Sequence, residues 1–380
     1  MSAVGIGPLA DTVMMNPASS APDVLRLVSQ FFDKEWPVVR ADDVRITKMT
    51  DGYSSLVHLI SREAVDGSSS GEPESLIIRN YGSHCVPEIG KLTDSEEAVI
   101  SYEMSRRGWG ARLFGIFPGG RVEEHIKSHT LTPAESMDPA VCRDVARSYA
   151  RVHSLHLPLH RDGLDVSIDN IIEGIEILCR EKDQRIANIR AINHRDALFV
   201  SETIFNQDWV AEWKWIKSLL SQHACKRTLM RMDTNFLNVL VKEYESECGI
   251  VLIDYEMAKK GYRAVDIGGH FVSRMFSWSD GADKRSGFAY PRREERQLFC
   301  DYYLQEMGEL GQNLTAGDTI HQLLLESDIG SLFTAAWIIF FVLKLEVYHY
   351  ELSFITALCQ ALELYRARKE ELMKNIGSHD

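Results

Sequence analysis

The hydrophobic pattern changes period once, near residue 128, and that switch constrains the fold more than any other feature of the chain. Before it, short runs alternate apolar and polar residues with a period of two, the mark of half-buried strands. "VRITKMT" (44–50), "SLVHLIS" (55–61) and "SLIIRNYG" (75–82) read as strands, and "RLFGIFPGGRVEEHIK" (112–127) as a hairpin turning at Pro118-Gly119-Gly120. "DGYS" joins the first two strands, and the polar "AVDGSSSGEPE" (64–74) is a loop. Helices are predicted over 23–32 and 94–108, the second opened by Asp94 as its cap. The first third is therefore a small sheet of about five strands with one inserted helix.

After residue 128 the period becomes helical, over 139–156, 169–192, 200–224 and from 293 to the end. Two short strands interrupt this part, "NVLVKEY" (238–244) and "GIVLIDYE" (249–256), linked as a hairpin by "ESEC". No internal repeat is present. The order predicts an α+β protein of two lobes: a tail over 1–22, a small β-rich lobe over 23–128 and a large helical lobe over 129–380.

Composition narrows the partners. A net charge of −13 argues against a nucleic-acid backbone as a partner and suits cationic ligands. Seven scattered Cys, with no CxxC, fit reduced thiols and a cytoplasmic location. The N-terminus lacks a basic n-region and carries Asp11, so no signal peptide is expected. The most apolar run, "LFTAAWIIFFVL" (332–343), is shorter than the roughly 18 residues of a membrane span and reads as a buried helix.

Chemistry concentrates in "LMRMDTNFLNVLVKEYESECGIVLIDYE" (229–256). A hairpin over 238–256 returns Asp254 to the neighbourhood of Asn238 and of the loop carrying Asp233. D-x4-N, a hairpin, then an apolar strand ending in Asp is the order of a phosphoryl-transfer centre. The first Asp would orient the attacking hydroxyl. The Asn and the second Asp would offer the oxygen donors that a hard cation such as Mg²⁺ prefers. Taken singly, each residue reads better as a turn cap or a strand end; the ordered set carries the inference. Arg79, in "LIIRNY", could reach nucleotide phosphates, with Glu97 as its expected ion-pair partner. The turn "MTDGYSSL" has a lone Gly52, a weak phosphate-loop signal.

These stretches carry a resemblance. "LIDYEMAKKGYRAVDIGGHF" (252–271) closely resembles the signature of the choline/ethanolamine kinase family, a branch of the protein-kinase-like fold. "MRMDTNFLNVLV" resembles its phosphotransfer motif, "ITKMTDGYSS" its nucleotide turn and "SLIIRNYG" its Arg-bearing strand. The resemblance spans about residues 23–372. It implies ATP-dependent phosphorylation of choline, or of ethanolamine, with Mg²⁺ and within phospholipid synthesis. Asp233 would be the catalytic base, Asn238, Asp254 and Glu256 would serve the metal, and Arg79, Glu97, Gly52, Ser54 and Ser55 would serve the nucleotide. Asp266 would stabilise the catalytic loop, and Trp278, Trp337 and Phe340 would wall a quaternary-ammonium pocket. Trp209, Trp213 and Trp215 are left to core or surface. The resemblance implies a small amino-alcohol substrate, and a homodimer as one oligomeric option.

The chain departs from the family pattern at five positions. Arg231 and Met232 stand where His and Asn are usual, and Ser55 where Asn is usual. Ser273 replaces a Glu, and Arg274 follows it in place of an aromatic. The last two remove an expected negative charge near the acceptor and add a positive one, which keeps open a pseudokinase that binds without turnover.

Overall fold

The computed structural model describes residues 20–49, 56–63, 71–81, 90–159, 163–244, 246–279, 283–344 and 351–377. Gly52, Ser54 and Ser55 lie outside the described residues, as do 1–19 of the N-terminal stretch. The chain divides into two compact units, one formed by 1–85 with 92–127 and the other by 86–91 with 128–380.

The first unit holds helix α1 (Ala21–Val28) and strands β1 (Val44–Lys48), β2 (Leu56–Arg62) and β3 (Ser75–Asn80). Helix α2 (Asp94–Arg106) and the hairpin β4 (Leu113–Phe117) and β5 (Gly120–Glu124) follow. The five strands form one antiparallel sheet in the order β1-β2-β3-β5-β4, the sheet expected from the period-two runs. Alternation buries Ile60, Leu76, Ile78 and Val122 on one face, where Val24, Val28 and Trp36 complete the core. Asp94 is not the cap of α2. Thr93 is: its hydroxyl accepts from Glu96 N at 3.3 Å while the Glu96 carboxylate accepts from Thr93 N at 3.0 Å.

The second unit begins with β6 (Ser128–Thr130) and runs through α3 (Pro139–His153), α4 (Gly163–Arg180), α5 (Lys182–Ala191), α6 (Arg195–Thr203) and α7 (Trp209–Gln222). Strands β7 (Arg227–Met230), β8 (Val239–Lys242), β9 (Ile250–Leu252) and β10 (Lys259–Tyr262) come next, then α8 (Arg263–Ser273), α9 (Arg293–Glu309), α10 (Ile320–Lys344) and α11 (Leu352–Gly377). β8 and β9 are the expected hairpin, and β6 adds to it on the other side of β8. Two expected helices are each split. The 169–192 pattern breaks at Glu181, between α4 and α5. The 200–224 pattern breaks where Asp208 caps α7 by accepting from Ala211 N at 3.0 Å. The β7–β10 pair was not expected; its strands are four residues each, too short to show alternation.

The apolar run 332–343 is the second half of α10, which at 25 residues is longer than the run suggested and long enough to cross a membrane. Its most apolar window is 89% buried inside the structure, as in a core helix. α10 packs on α8 with almost no space between their backbones. A Cβ at Gly330 would stand 1.6 Å from Ala264 O, and one at Gly268 would stand 2.3 Å from Ser331 N. Glycine is required at both, because backbone atoms cannot yield. Trp209 and Trp213 are buried core, whereas Trp215 is half-buried under the Lys369 ammonium.

Candidate active site

The site is built on the segment after β7. Met230 ends that strand and Arg231 is wholly buried. Met232 then turns through a left-handed conformation at φ 71°, which a side chain bearing a Cβ seldom adopts unless its surroundings hold it. Asp266, in α8, does the holding. Its Oδ2 accepts from Arg231 N at 2.6 Å and its Oδ1 from Met232 N at 2.8 Å. His153 Nε2 lies 3.1 Å from the same Oδ2, and Tyr303 Oη lies 3.0 Å from His153 Nδ1. Asp266 sits four residues into its helix and is a loop anchor, not a cap.

Asp233 follows. Its Oδ1 accepts from Asn235 N at 3.0 Å and its Oδ2 from Asn238 Nδ2 at 2.8 Å, so both oxygens are oriented. Burial raises its pKa above the ordinary carboxylate range; the Arg231 charge opposes that and the Asp254 charge adds to it. Asn235 caps the 3-10 turn Phe236–Asn238 by accepting from Leu237 N at 3.0 Å. That turn aims Asn238 back at Asp233.

Asp254 lies two residues past β9, not at the end of a longer strand as expected. Its φ of 64° places it in the left-handed region, which Asp tolerates better than most residues. Asn238 O accepts from Ile253 N at 3.1 Å, which joins the approach to Asp254 directly to Asn238. Asp233, Asn238 and Asp254 are thus brought together within one unit. With Nδ2 committed to Asp233, Asn238 keeps Oδ1 as its acceptor toward an ion. An amide oxygen beside the Asp254 carboxylate is a donor set that fits Mg²⁺. Glu256 is half-buried two residues on.

In the other unit the expected Arg79–Glu97 pair is not formed. Glu97 is bound instead by Arg121, Nη1 to Oε1 at 2.6 Å, and Arg79 Nε stands 3.6 Å from Glu123 Oε1. The cause is register: Arg79 on β3 is directly opposite Arg121 on β5. Arg121 bonds both carboxylates, its Nε lying 2.8 Å from Glu123 Oε2, and Arg79 shares Glu123 with it. Arg121 is buried, with its guanidinium 5.4 Å from the Tyr81 ring centre. Sequence reasoning missed it; a second Arg in the strand that hairpins back beside "LIIRNY" was the available signal.

The aromatics are placed less uniformly. Trp337 contacts Phe340 at 5.8 Å and Phe341 at 6.0 Å between ring centres. Trp278 stacks on Phe276 at 5.8 Å. Trp278 and Trp337 are both half-buried, but Phe340 is 1% exposed and lines an apolar cavity with Trp209, Trp213 and Ile175. No ring contact joins Trp278 to Trp337 among the described residues. Ser273 donates inward to Thr234 O at 2.8 Å and Gly269 O at 2.9 Å. Arg274 is buried and paired with Glu295 at 2.6 Å, with further bonds to Ser136.

The model of the choline/ethanolamine kinase family matches residues 46–366. The chain belongs to this family. Choline/ethanolamine kinase of Rattus norvegicus is 24% identical over 286 residues, 73% of this chain and 68% of the rat protein. Probable choline kinase 3 of Arabidopsis thaliana is 26% identical over 364 residues, 93% and 96% of the two chains. The crystal structure of choline kinase from Cryptosporidium parvum superposes with a TM-score of 0.67 at 15% identity, covering 94% of this chain and 97% of that one. The protein is accordingly a choline/ethanolamine kinase family phosphotransferase that uses an alcohol as acceptor, on a protein-kinase-like α+β fold.

Proposed function

We propose that this enzyme transfers the γ-phosphoryl group of ATP to the hydroxyl of choline, yielding phosphocholine for phosphatidylcholine synthesis. The observation that carries the reading is the oriented Asp233 carboxylate, gripped at both oxygens beside Asn238 and Asp254. In this reading Asp233 receives the hydroxyl hydrogen bond and aligns the oxygen for attack. In a loose phosphoryl-transfer transition state that positioning matters more than full proton removal. Asn238 Oδ1 and Asp254 would hold Mg²⁺, with Glu256 as a further acidic group near it. When bound, the ion neutralises charge on the phosphate oxygens. Arg79 would supply a phosphate contact. Trp278 and Trp337 face the trimethylammonium group, each ring worth about 0.5–2 kcal/mol.

Ethanolamine is the second reading, and one observation favours it. Phe340 is 1% exposed, which leaves Trp278 and Trp337 as the more accessible of the three expected rings. A primary ammonium needs hydrogen-bond acceptors more than rings. Steady-state kinetics of Trp337→Ala with both alcohols separates the two readings. Choline as the substrate predicts a KM for choline raised about tenfold, from loss of a cation–π wall and its packing, with KM for ethanolamine little changed. An unmoved KM for choline would remove choline from first place.

A further inference from the structure

We infer that Arg231 is a positioning residue that locks the two proposed metal ligands, Asn238 and Asp254, to each other. The inference rests on the reading of the site as a metal-dependent phosphotransfer centre. Arg231 is 0% exposed, and one nitrogen, Nη1, donates to two backbone carbonyls: Asn238 O at 2.9 Å and Ile253 O at 2.6 Å. The first belongs to one proposed ligand and the second immediately precedes the other. Ile253 N closes the arrangement by donating to the same Asn238 O at 3.1 Å. A single buried cation therefore sets the spacing of the catalytic loop from the segment after β9. Its own backbone N–H is held by Asp266, which anchors the clamp to α8.

Stability alone does not account for this residue. Nε and Nη2 of Arg231 are buried without a hydrogen-bond partner, and an unsatisfied buried donor is costly. The Tyr149 ring, 6.0 Å from the guanidinium carbon, offers one face of compensation. An apolar side chain of similar volume would avoid the unpaired donors but leave Asn238 O and Ile253 O without their shared donor. What the guanidinium adds is geometry at the ligand pair. Groups behind metal ligands commonly change metal affinity by about 10–100-fold when removed.

The test uses the full chain, with Arg231→Met and Arg231→Lys. Mn²⁺ is titrated in the presence of a non-hydrolysable ATP analogue, and free Mn²⁺ is read by electron paramagnetic resonance. Thermal midpoints and kcat against acceptor KM are measured alongside. Arg231→Met is expected to raise the Mn²⁺ dissociation constant about tenfold and to lower kcat, leaving acceptor KM within about twofold. Arg231→Lys, which retains the charge on a single donor nitrogen, is expected to fall between. A folded Arg231→Met that binds Mn²⁺ as the wild type does overturns the inference, whatever happens to its melting temperature. If that variant does not fold, Arg231→Lys decides on the same readout: weakened binding supports the clamp and unchanged binding overturns it. A wild type that binds no Mn²⁺ overturns both the clamp and the site reading. A wild type that binds Mn²⁺ but phosphorylates neither choline nor ethanolamine overturns only the proposed function.

Discussion

Asn238 Nδ2 donates to Asp233 Oδ2 at 2.8 Å, across the five residues that separate them in sequence. The bond makes the proposed base and the proposed metal ligand one unit. Moving either one reorients the other, so their substitutions should not be additive.

Replacement of Asp233 by Asn removes the proposed acceptor for the substrate hydroxyl and keeps the size of the side chain. We expect kcat to fall by about two or more orders of magnitude, the scale of general-base catalysis. ATP binding should be little changed, as measured by calorimetry with the unreactive analogue. A collapse of nucleotide affinity would mark Asp233 as structural.

At Asp254 the informative change is to Asn, because Asn tolerates the left-handed φ of 64° while lacking the charge. Turnover should fall at least about a hundredfold with the melting temperature nearly unchanged, and Asn238→Ala should show a milder loss with a raised Mg²⁺ requirement. Wild-type turnover of Asp254→Asn at saturating Mg²⁺ would contradict the metal assignment.

His270 gives a pH dependence with a defined sign. Burial, followed by the charges of Arg274 and Arg231, holds its pKa down to about 3 from 6.5. The ring is neutral in the fold, packed at 5.3 Å on Phe299 and 5.2 Å from Phe236. The unfolded chain takes up its proton near 6.5 and the folded one only near 3, so stability is whole above about 6.5 and is lost as pH falls between those values. His270→Phe should flatten that part of the profile. Parallel urea-midpoint curves for the two proteins from pH 7 to 4 would contradict it.

Much of this architecture was legible because period is a local property. The five-strand sheet, the β8–β9 hairpin and the helical remainder each announce themselves within a dozen residues. The acid–amide–acid order was legible too, since D-x4-N and the later Asp survive without any structure. Partner choice was not. Glu97 pairs with Arg121 because β3 and β5 are in a register that opposes two arginines, and no local pattern reports a register. The left-handed turns at Met232 and Asp254 were also hidden, because Asp266 and the surrounding loop impose them from a distance. Likewise Phe340 and Trp337 share a helix face and their rings touch, yet Phe340 is buried and Trp337 half-buried, a difference that spacing does not report.

Packing of α8 on α10 connects this fold to the loop. Gly330→Ala would drive a methyl into Ala264 O, where nothing flexible can move aside. Overpacking of this kind costs about 3 kcal/mol. Because α8 carries Asp266, which holds Arg231 and Met232, kcat should fall along with the melting temperature. A stable, fully active Gly330→Ala protein would show that the helices separate more easily than their geometry implies.

Phosphoryl transfer from γ-labelled ATP, followed with purified wild-type protein and Asp233→Asn in Mg²⁺, tests the central claim most directly. Choline, ethanolamine and no acceptor are the three conditions. The account predicts acceptor-dependent transfer by the wild type, greatest with choline, and about a hundredfold less by Asp233→Asn. No acceptor-dependent transfer by the wild type, or equal transfer by the two proteins, would contradict it.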